Sequence, residues 1–339
     1  MFCRSRTYLT QIHAYPVRAG IAALAILSGS AVLLAWQMRV AETSLPQVCS
    51  QVDDKPSRPQ SGMVKVTGGI FAMGSEDFRA EEAPVINATV GSFWIDAHDV
   101  TNAQFERFVR EAGYATVAER WNGGNPPGAF VFKPPIDAVE LADPSRWWRF
   151  VEGANWRHPE GPGSDITRRR WHPVVQIAYE DAEAYAHWSN RALPTEAQWE
   201  YAARGGFSGQ AYNWGNEPDT ADEPKANNWR GVFPVLNLGT NGFKGTSPVG
   251  CFPPNAYGLY DMAGNVWQWT RDSWTSDHHR PASAINAIDA NNVRVIKGGS
   301  FLCATNFCLR YRPAARQPGE SAVGASHIGF RTVLEAPMP

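Results

Sequence analysis

The stretch Asn255–Thr270 reads NAYGLYDMAGNVWQWT, and its texture sets the expectation for the whole fold. Glycines at 258 and 264 and asparagines at 255 and 265 interrupt any long helical or strand period. Tyr257, Tyr260, Trp267 and Trp269 are large anchors for an apolar interior. The same mixture of Gly, Pro, Asn and Trp recurs at short intervals from Gly206 to Gly299, so this part reads as loop-dominated. With 14 Trp, 30 Gly and 25 Pro, the chain is expected to carry less regular structure than average and a loop-built surface suited to binding or catalysis.

Upstream of that stretch the regular elements are short. Val64–Val66, Gly69–Met73 and Ser92–Ile95 are strand-like runs bounded by Gly or charged residues. Thr101 caps a helix over Ala103–Glu111, with Phe105, Phe108 and Val109 on one face. A second helix is expected over Tyr179–Ser189, its apolar side made by Ala182, Tyr185, Ala186 and Trp188. A third spans Thr195–Ala203, where Thr195 and Gln198 form a capping box and Gly205 and Gly206 stop the helix. The class is therefore α+β with low regular content. From Met63 onward there is no second linker, charge run or internal repeat, so residues 63–339 parse as one domain. Lys+Arg is 31 and Asp+Glu is 33, a net charge of −2 that gives no basic face for nucleic acid. With 43% hydrophobic and 19% charged residues, a sizeable core is feasible and disorder is not indicated.

The N-terminal 40 residues read as a targeting segment. Ala19 to Met38 is mostly apolar, with only Ser28, Ser30 and Gln37 as polar side chains. As a helix it would span roughly 30 Å, the thickness of a bilayer's hydrocarbon core. Arg4, Arg6 and Arg18 precede it, which leaves the N-terminus in the cytoplasm and sends the rest across the membrane. No small-x-small cleavage site follows closely, which favours an uncleaved anchor over a signal peptide. Residues 41–62, with Pro46, Pro56 and Pro59, read as a tether. The domain is expected to be periplasmic and membrane-anchored, or secreted if the helix is cleaved.

Of five cysteines, Cys3 precedes the apolar run and Cys49 lies in the tether. That leaves Cys251, Cys303 and Cys308, too few for a disulfide framework in a domain of this size. From spacing alone, the C-x4-C pair Cys303/Cys308 is equally an ordinary disulfide or two working thiols. Strand alternation would put an offset of five on opposite faces, so a turn or bulge must intervene if the sulfurs meet.

Several segments occur in one order: GIFAMGS (69–75), NWRHPEGPGS (155–164), HPVV (172–175), LPTEAQWEYAARGG (193–206), NWGN (213–216), NAYGLYDMAGNVWQWT (255–270), KGGSFLCATNFCLRYRPAAR (297–316) and IGFR (328–331). Over residues 63–334 the chain closely resembles the formylglycine-generating enzyme family, the sulfatase-modifying factors. The resemblance implies a variant C-type-lectin-like fold. It also implies a copper-dependent oxidase that converts a cysteine in an unfolded sulfatase segment, C-x-P-x-R, into Cα-formylglycine with O2 and a thiol reductant. Members that oxidise a substrate cysteine keep two cysteines at this offset, which makes Cys303 and Cys308 the catalytic and Cu(I)-binding pair; two thiolates are soft donors that select Cu(I) over hard ions.

Other positions carry over one at a time. Ser300 matches the serine beside the cysteines and Trp267 the tryptophan lining the pocket. Trp156, Ser164, His327 and Arg331 match substrate-groove positions. Calcium (Ca2+) is implied at two places. The first takes side chains of Asn227 and Asn241 with carbonyls of Asn228 and Phe243. The second takes Asp261 and Gln268 with carbonyls of Gly264 and Val266. Asn241 and Gln268 replace a usual aspartate and glutamate, and fewer carboxylates weaken such sites. Phe307 stands where a tyrosine is usual, Ala304 where histidine is frequent, His327 where some members have asparagine, and Pro313 where some relatives carry a disulfide cysteine.

Two other classes compete. Iron-dependent sulfoxide synthases share the fold but use an H-x-x-x-H-x-E motif that does not occur in this chain. A non-catalytic lectin-like binding module or extracytoplasmic maturation factor is the alternative that the cysteine pair argues against. His278–His279 reads as a solvated loop, and Asp165 with Arg168–Arg170 as a charged surface.

Overall fold

Thr195 and Gln198 exchange the two bonds of a capping box at 2.9 Å each, and Gly205 closes the helix between them in a left-handed conformation at φ 59°. Thr101 and Gln104 repeat the device two helices earlier. The helices run as the sequence predicts: α1 (Asn102–Ala112), α2 (Tyr179–Trp188) and α3 (Glu196–Arg204). The computed structural model describes residues 49, 52, 58–121, 124, 126–277 and 293–335. The expected apolar helix at 19–38 and the His278–His279 pair lie outside them. Among the described residues no helix is long and apolar enough to cross a membrane.

Among the described residues, thirteen short strands accompany the helices. They are β1 (Met63–Val66), β2 (Gly69–Met73), β3 (Ile86–Val90), β4 (Phe93–Asp96), β5 (Gly128–Phe132), β6 (Trp148–Glu152) and β7 (Gly231–Val232). Then follow β8 (Leu236–Asn237), β9 (Trp267–Ser273), β10 (Val293–Lys297), β11 (Arg316–Glu320), β12 (Ile328–Gly329) and β13 (Val333–Glu335). One sheet has the order β1-β4-β13 and joins the two ends of the domain, with Val64 and Val333 both opposite Ile95. The other has the order β11-β10-β9-β12, and β2-β3, β5-β6 and β7-β8 are isolated hairpins.

The four-stranded sheet corrects the loop-dominated reading of the segment ending at Gly299. Trp267–Ser273 forms its longest strand, and β10 follows inside the same segment. Glycines and asparagines immediately before β9 mask its Trp-Gln-Trp-Thr start, whose β-forming residues pack inward. The core beside this sheet contains Phe105, Phe108, Tyr185, Trp267, Trp269 and Phe330.

Cys49 gives a second correction. It is bonded to Cys251 across 202 residues, so it is no free thiol of a loose tether. Arg191 adds a nearby fastening by donating to the Pro59 carbonyl at 2.7 Å. A pairing at that separation leaves no local signal, which is why cysteine counting missed it.

α3 is buried on its polar face as well as its apolar one. Glu200 accepts from Lys297 at 3.0 Å and from Arg204 at 2.7 Å, while Glu196 takes both Nε and Nη2 of Arg316 at 2.8 Å. These pairs clamp both ends of the segment 297–316 to one helix. Charges this deep persist only when each is paired and hydrogen-bonded.

Candidate active site

The segment 297–316 is bent back on itself by glycine and by hydrogen bonds. Gly298 and Gly299 leave β10 at φ 96° and 72°. A Cβ at Gly299 would lie 2.8 Å from the Tyr311 nitrogen and 2.9 Å from the Arg310 carbonyl carbon, so only glycine admits the returning chain there. The Cys303 N–H then donates to the Ser300 carbonyl at 2.9 Å, and Ala304 and Phe307 exchange backbone bonds at 2.8 and 3.2 Å. That four-residue hairpin is the turn the five-residue offset required. Asn306 at its tip exchanges bonds with the Phe233 backbone at 3.2 and 3.3 Å.

Cys308 and Leu309 follow in left-handed conformations, φ 76° and 47°. Non-glycine residues held there cost of order 1–3 kcal/mol each, so the surroundings must over-determine them. Arg79 donates to the Cys308 carbonyl at 3.3 Å, and Arg312 Nε to the Leu309 carbonyl at 2.8 Å. Arg312 is itself fixed by two bonds to Glu82, at 2.7 and 2.5 Å. The result is a disulfide between Cys303 and Cys308, with Cα atoms 5.1 Å apart and both residues buried.

Two apolar clusters meet at Phe307, which lies between the cysteines in sequence. On one side Phe307 stacks on Phe233 with centroids 4.3 Å apart, and Trp147 meets Phe307 edge-on at 5.8 Å. The Phe307 ring therefore sits in an apolar cluster with Trp147, Trp229, Phe233, Phe301 and Leu302. On the other side both cysteines share a cluster with Trp156, Trp267, Tyr212 and Tyr311. Burial pushes the Tyr311 phenol up to about 12, so it remains protonated at neutral pH.

Residues 49–336 match the sulfatase-modifying factor enzyme 1-like domain. The chain belongs to the formylglycine-generating enzyme family. A formylglycine-generating enzyme of Mycobacterium tuberculosis is 48% identical over 293 residues, covering 80% of this chain and 97% of that one. One from Bos taurus is 43% identical, covering 83% and 76%. An inactive C-alpha-formylglycine-generating enzyme 2 of Bos taurus is also similar, at 40% identity over 82% of this chain and 87% of its own. Among solved structures, PvdO from Pseudomonas aeruginosa superposes with a TM-score of 0.57 at 24% identity, covering 81% of this chain and 94% of that one, and shares the fold.

The positions expected from the family resemblance divide into those gathered at the cysteine turn and those spent elsewhere. Ser300 lies on the turn, fully buried, its Oγ accepting from Leu302 N–H at 3.2 Å. Trp267 shares the cysteines' cluster, and its N–H donates to the His327 carbonyl at 2.8 Å. The His327 ring packs on Trp148 at 4.6 Å, with a buried Nδ1 that has no partner. Burial lowers its pKa to about 3, so the imidazole is neutral. Trp156 is fully buried under the Arg157 guanidinium, 4.1 Å from its ring. The Ser164 hydroxyl is consumed within its own loop, donating to Gly161 at 2.7 Å and accepting from Glu160 N–H at 2.9 Å.

Arg331 requires a correction. Expected in the substrate groove, it has no exposed surface; it donates to Gln268 at 2.7 Å and to the carbonyls of Asp96 and Tyr260 at 3.0 and 2.8 Å. It ties the ends of the domain together, a role set by three distant carbonyl and amide groups. Conversely, Arg79, Glu82 and Arg312 hold the cysteine turn and escaped sequence reasoning. Arg310 and Arg312, two apart after the second cysteine, and the acidic pair Glu81–Glu82 were the available signal. Their partnership spans 230 residues, which one sequence cannot reveal.

The cysteine pair fits the copper that the family implies: two sulfurs already meet, and once reduced they form a soft, closely spaced donor set in apolar surroundings. The calcium sets do not fit. Asn241 Nδ2 donates to Asn228 O and Asn227 Oδ1, and Gln268 Oε1 already accepts from Trp199 Nε1 and Arg331 Nε, so oxygens a cation would need are taken by N–H donors.

Proposed function

We propose that this protein oxidises a cysteine in the C-x-P-x-R segment of an unfolded sulfatase chain to Cα-formylglycine, using O2 and a thiol reductant. One observation carries the reading: Cys303 and Cys308 are brought sulfur to sulfur by a hairpin, and both belong to a buried cluster rich in aromatic side chains. The reductant first opens their disulfide and so frees two thiolates. These would hold Cu(I), which supplies when bound the one-electron O2 chemistry that side chains lack. The strained Cys308–Leu309 corner, held by Arg79 and Arg312, keeps the sulfurs from separating. Burial of both cysteines among aromatic side chains excludes water from the reacting centre; Ser300 stands on the turn itself, and Trp267, at the start of β9, shares the cysteines' cluster. Overall, O2 takes four electrons, two from the substrate Cβ and two from a pair of reductant thiols. The Cβ–S bond breaks, one Cβ–H is lost, and aldehyde, sulfide and water form.

The domain is proposed to act outside the cytoplasm, anchored by the apolar helix at 19–38 or released from it. The Cys49–Cys251 bond supports this, since stable disulfides belong to oxidising compartments. A non-catalytic binding module is the second reading, favoured by the inactive Bos taurus relative. Mass spectrometry of a C-x-P-x-R peptide, after incubation with copper-loaded protein, air and thiol and then hydrazine trapping, decides between them. The expected product is the hydrazone. An intact cysteine, while the Mycobacterium tuberculosis enzyme converts it in parallel, rejects the oxidase.

A further inference from the structure

We infer that this chain folds without calcium, because amide hydrogen bonds have taken over both places where its family resemblance puts the ion.

At the first place the orientation of Asn241 is chemically forced. The Asn228 carbonyl only accepts, and Asn241 Nδ2 donates to it at 2.9 Å; the Phe243 N–H only donates, and Asn241 Oδ1 receives it at 3.3 Å. The amide nitrogen therefore faces inward, and it also donates to Asn227 Oδ1 at 3.3 Å. Two oxygens that would have to bind a cation share one nitrogen instead. No carboxylate belongs to this set. Asp219, which touches Asn228 at 2.9 Å, is paired with Arg230 at 2.5 Å. Ca2+ takes six to eight oxygens and draws its affinity from carboxylate charge.

At the second place Gln268 is forced in the same way. Its Oε1 receives Trp199 Nε1 at 2.6 Å and Arg331 Nε at 2.7 Å, two groups that can only donate. Both lone pairs are thus occupied, and the amide nitrogen must turn to the Asp261 carbonyl, 2.9 Å away. The Arg331 guanidinium stands beside it, with Nη2 2.8 Å from the Tyr260 carbonyl and 3.4 Å from that of Asp261. The guanidinium is a fixed cation already bonded to the Gln268 oxygen that the ion would need, and a second, divalent one beside it would be repelled. Asp261 Oδ2 accepts from Gly250 N–H at 2.7 Å.

The two places form one network. Asn227 Nδ2 donates to Asn265 Oδ1 at 3.2 Å, the Ser247 N–H joins that oxygen at 3.0 Å, and Asn265 N–H donates to the Asn227 carbonyl at 2.8 Å. Asn265 in turn holds the start of the catalytic turn, accepting Phe301 N–H on its carbonyl at 2.9 Å. A neutral amide lattice therefore supports the cysteine loop.

The test is thermal unfolding and isothermal calorimetry of the full chain in EGTA and in millimolar Ca2+. Equal melting temperatures and no binding heat are expected for the wild type. A wild-type melting temperature several degrees lower in EGTA, restored by Ca2+, overturns the inference. Asn241→Asp removes the inward donor and adds a carboxylate, so it should melt lower in EGTA and recover with Ca2+, whereas Asn241→Ala should melt lower in both. A folded Asn241→Asp that ignores Ca2+ overturns the exchange of amide for ion. The wild-type melts decide calcium independence without either variant.

Discussion

Glu82 and Arg312 form a buried two-bond pair at 2.5 and 2.7 Å across 230 residues, and the same guanidinium holds the Leu309 carbonyl at 2.8 Å. A contact between the β2–β3 connection and the chain just past the second cysteine therefore fixes the conformation in which the two sulfurs meet. Removing one partner of such a pair strands the other charge in the interior. Glu82→Gln is expected to lower stability by about 3–5 kcal/mol, read from urea denaturation at constant m-value. A loss under ~1 kcal/mol, the size typical of exposed pairs, would show that the clamp is not holding the turn.

The cysteine pair makes a sharper prediction about metal. Cys303→Ser or Cys308→Ser replaces a soft thiolate by a hard, protonated oxygen, so each variant should lose tight Cu(I) binding and peptide conversion together. Competition against a Cu(I) chelator measures this. Binding of wild-type affinity in both variants would move the metal elsewhere.

Asp181 gives the fold a pH dependence. It is buried, and that burial raises its pKa to about 7 despite bonds from Val117 N–H at 2.9 Å, Ala178 N–H at 3.0 Å and Tyr114 O–H at 3.1 Å. In the unfolded chain it titrates near 4, so between about pH 4 and 7 the folded state holds the extra proton. The stability from this group is complete below the unfolded value and is lost as pH rises through the folded one. Unfolding free energy should therefore fall from pH 5 to pH 8. Asp181→Asn should flatten part of that slope while losing the Ala178 bond, worth about 1 kcal/mol. An unchanged slope in the variant would assign the dependence to other acids.

The Cys49–Cys251 bond closes a loop of 202 residues in sequence. Cys49→Ser should cost about 2–4 kcal/mol by freeing the unfolded chain. Non-reducing peptide mapping of the wild type should recover a 49–251 cross-link. Its absence from protein matured in an oxidising compartment would remove both the bond and its support for an extracytoplasmic location.

How much of this was legible beforehand differs by element. Capping boxes at Thr101/Gln104 and Thr195/Gln198 act within four residues, so both helix starts could be read directly from the chain. Family motifs marked Cys303, Cys308, Ser300 and Trp267, and the alternation rule required a turn between the cysteines, which Ala304 and Phe307 make. The sheet strand β9 was hidden because the glycines and asparagines before it carry the local turn signal, while its partners β10 and β12 lie downstream.

The sequence by itself determined the local chemistry: which residues cap, which glycines can turn, and which two thiols stand five apart. Tertiary structure alone decided the partners. It placed Arg331 on Gln268 and on the carbonyls of Asp96 and Tyr260, set Asn241 against Asn228, joined Cys49 to Cys251, and closed Glu82 on Arg312. The reason is physical. A side chain's donors and acceptors are fixed by its type, but a buried one must be satisfied by whatever the fold brings within about 3 Å, and that neighbour can be any distance away along the chain.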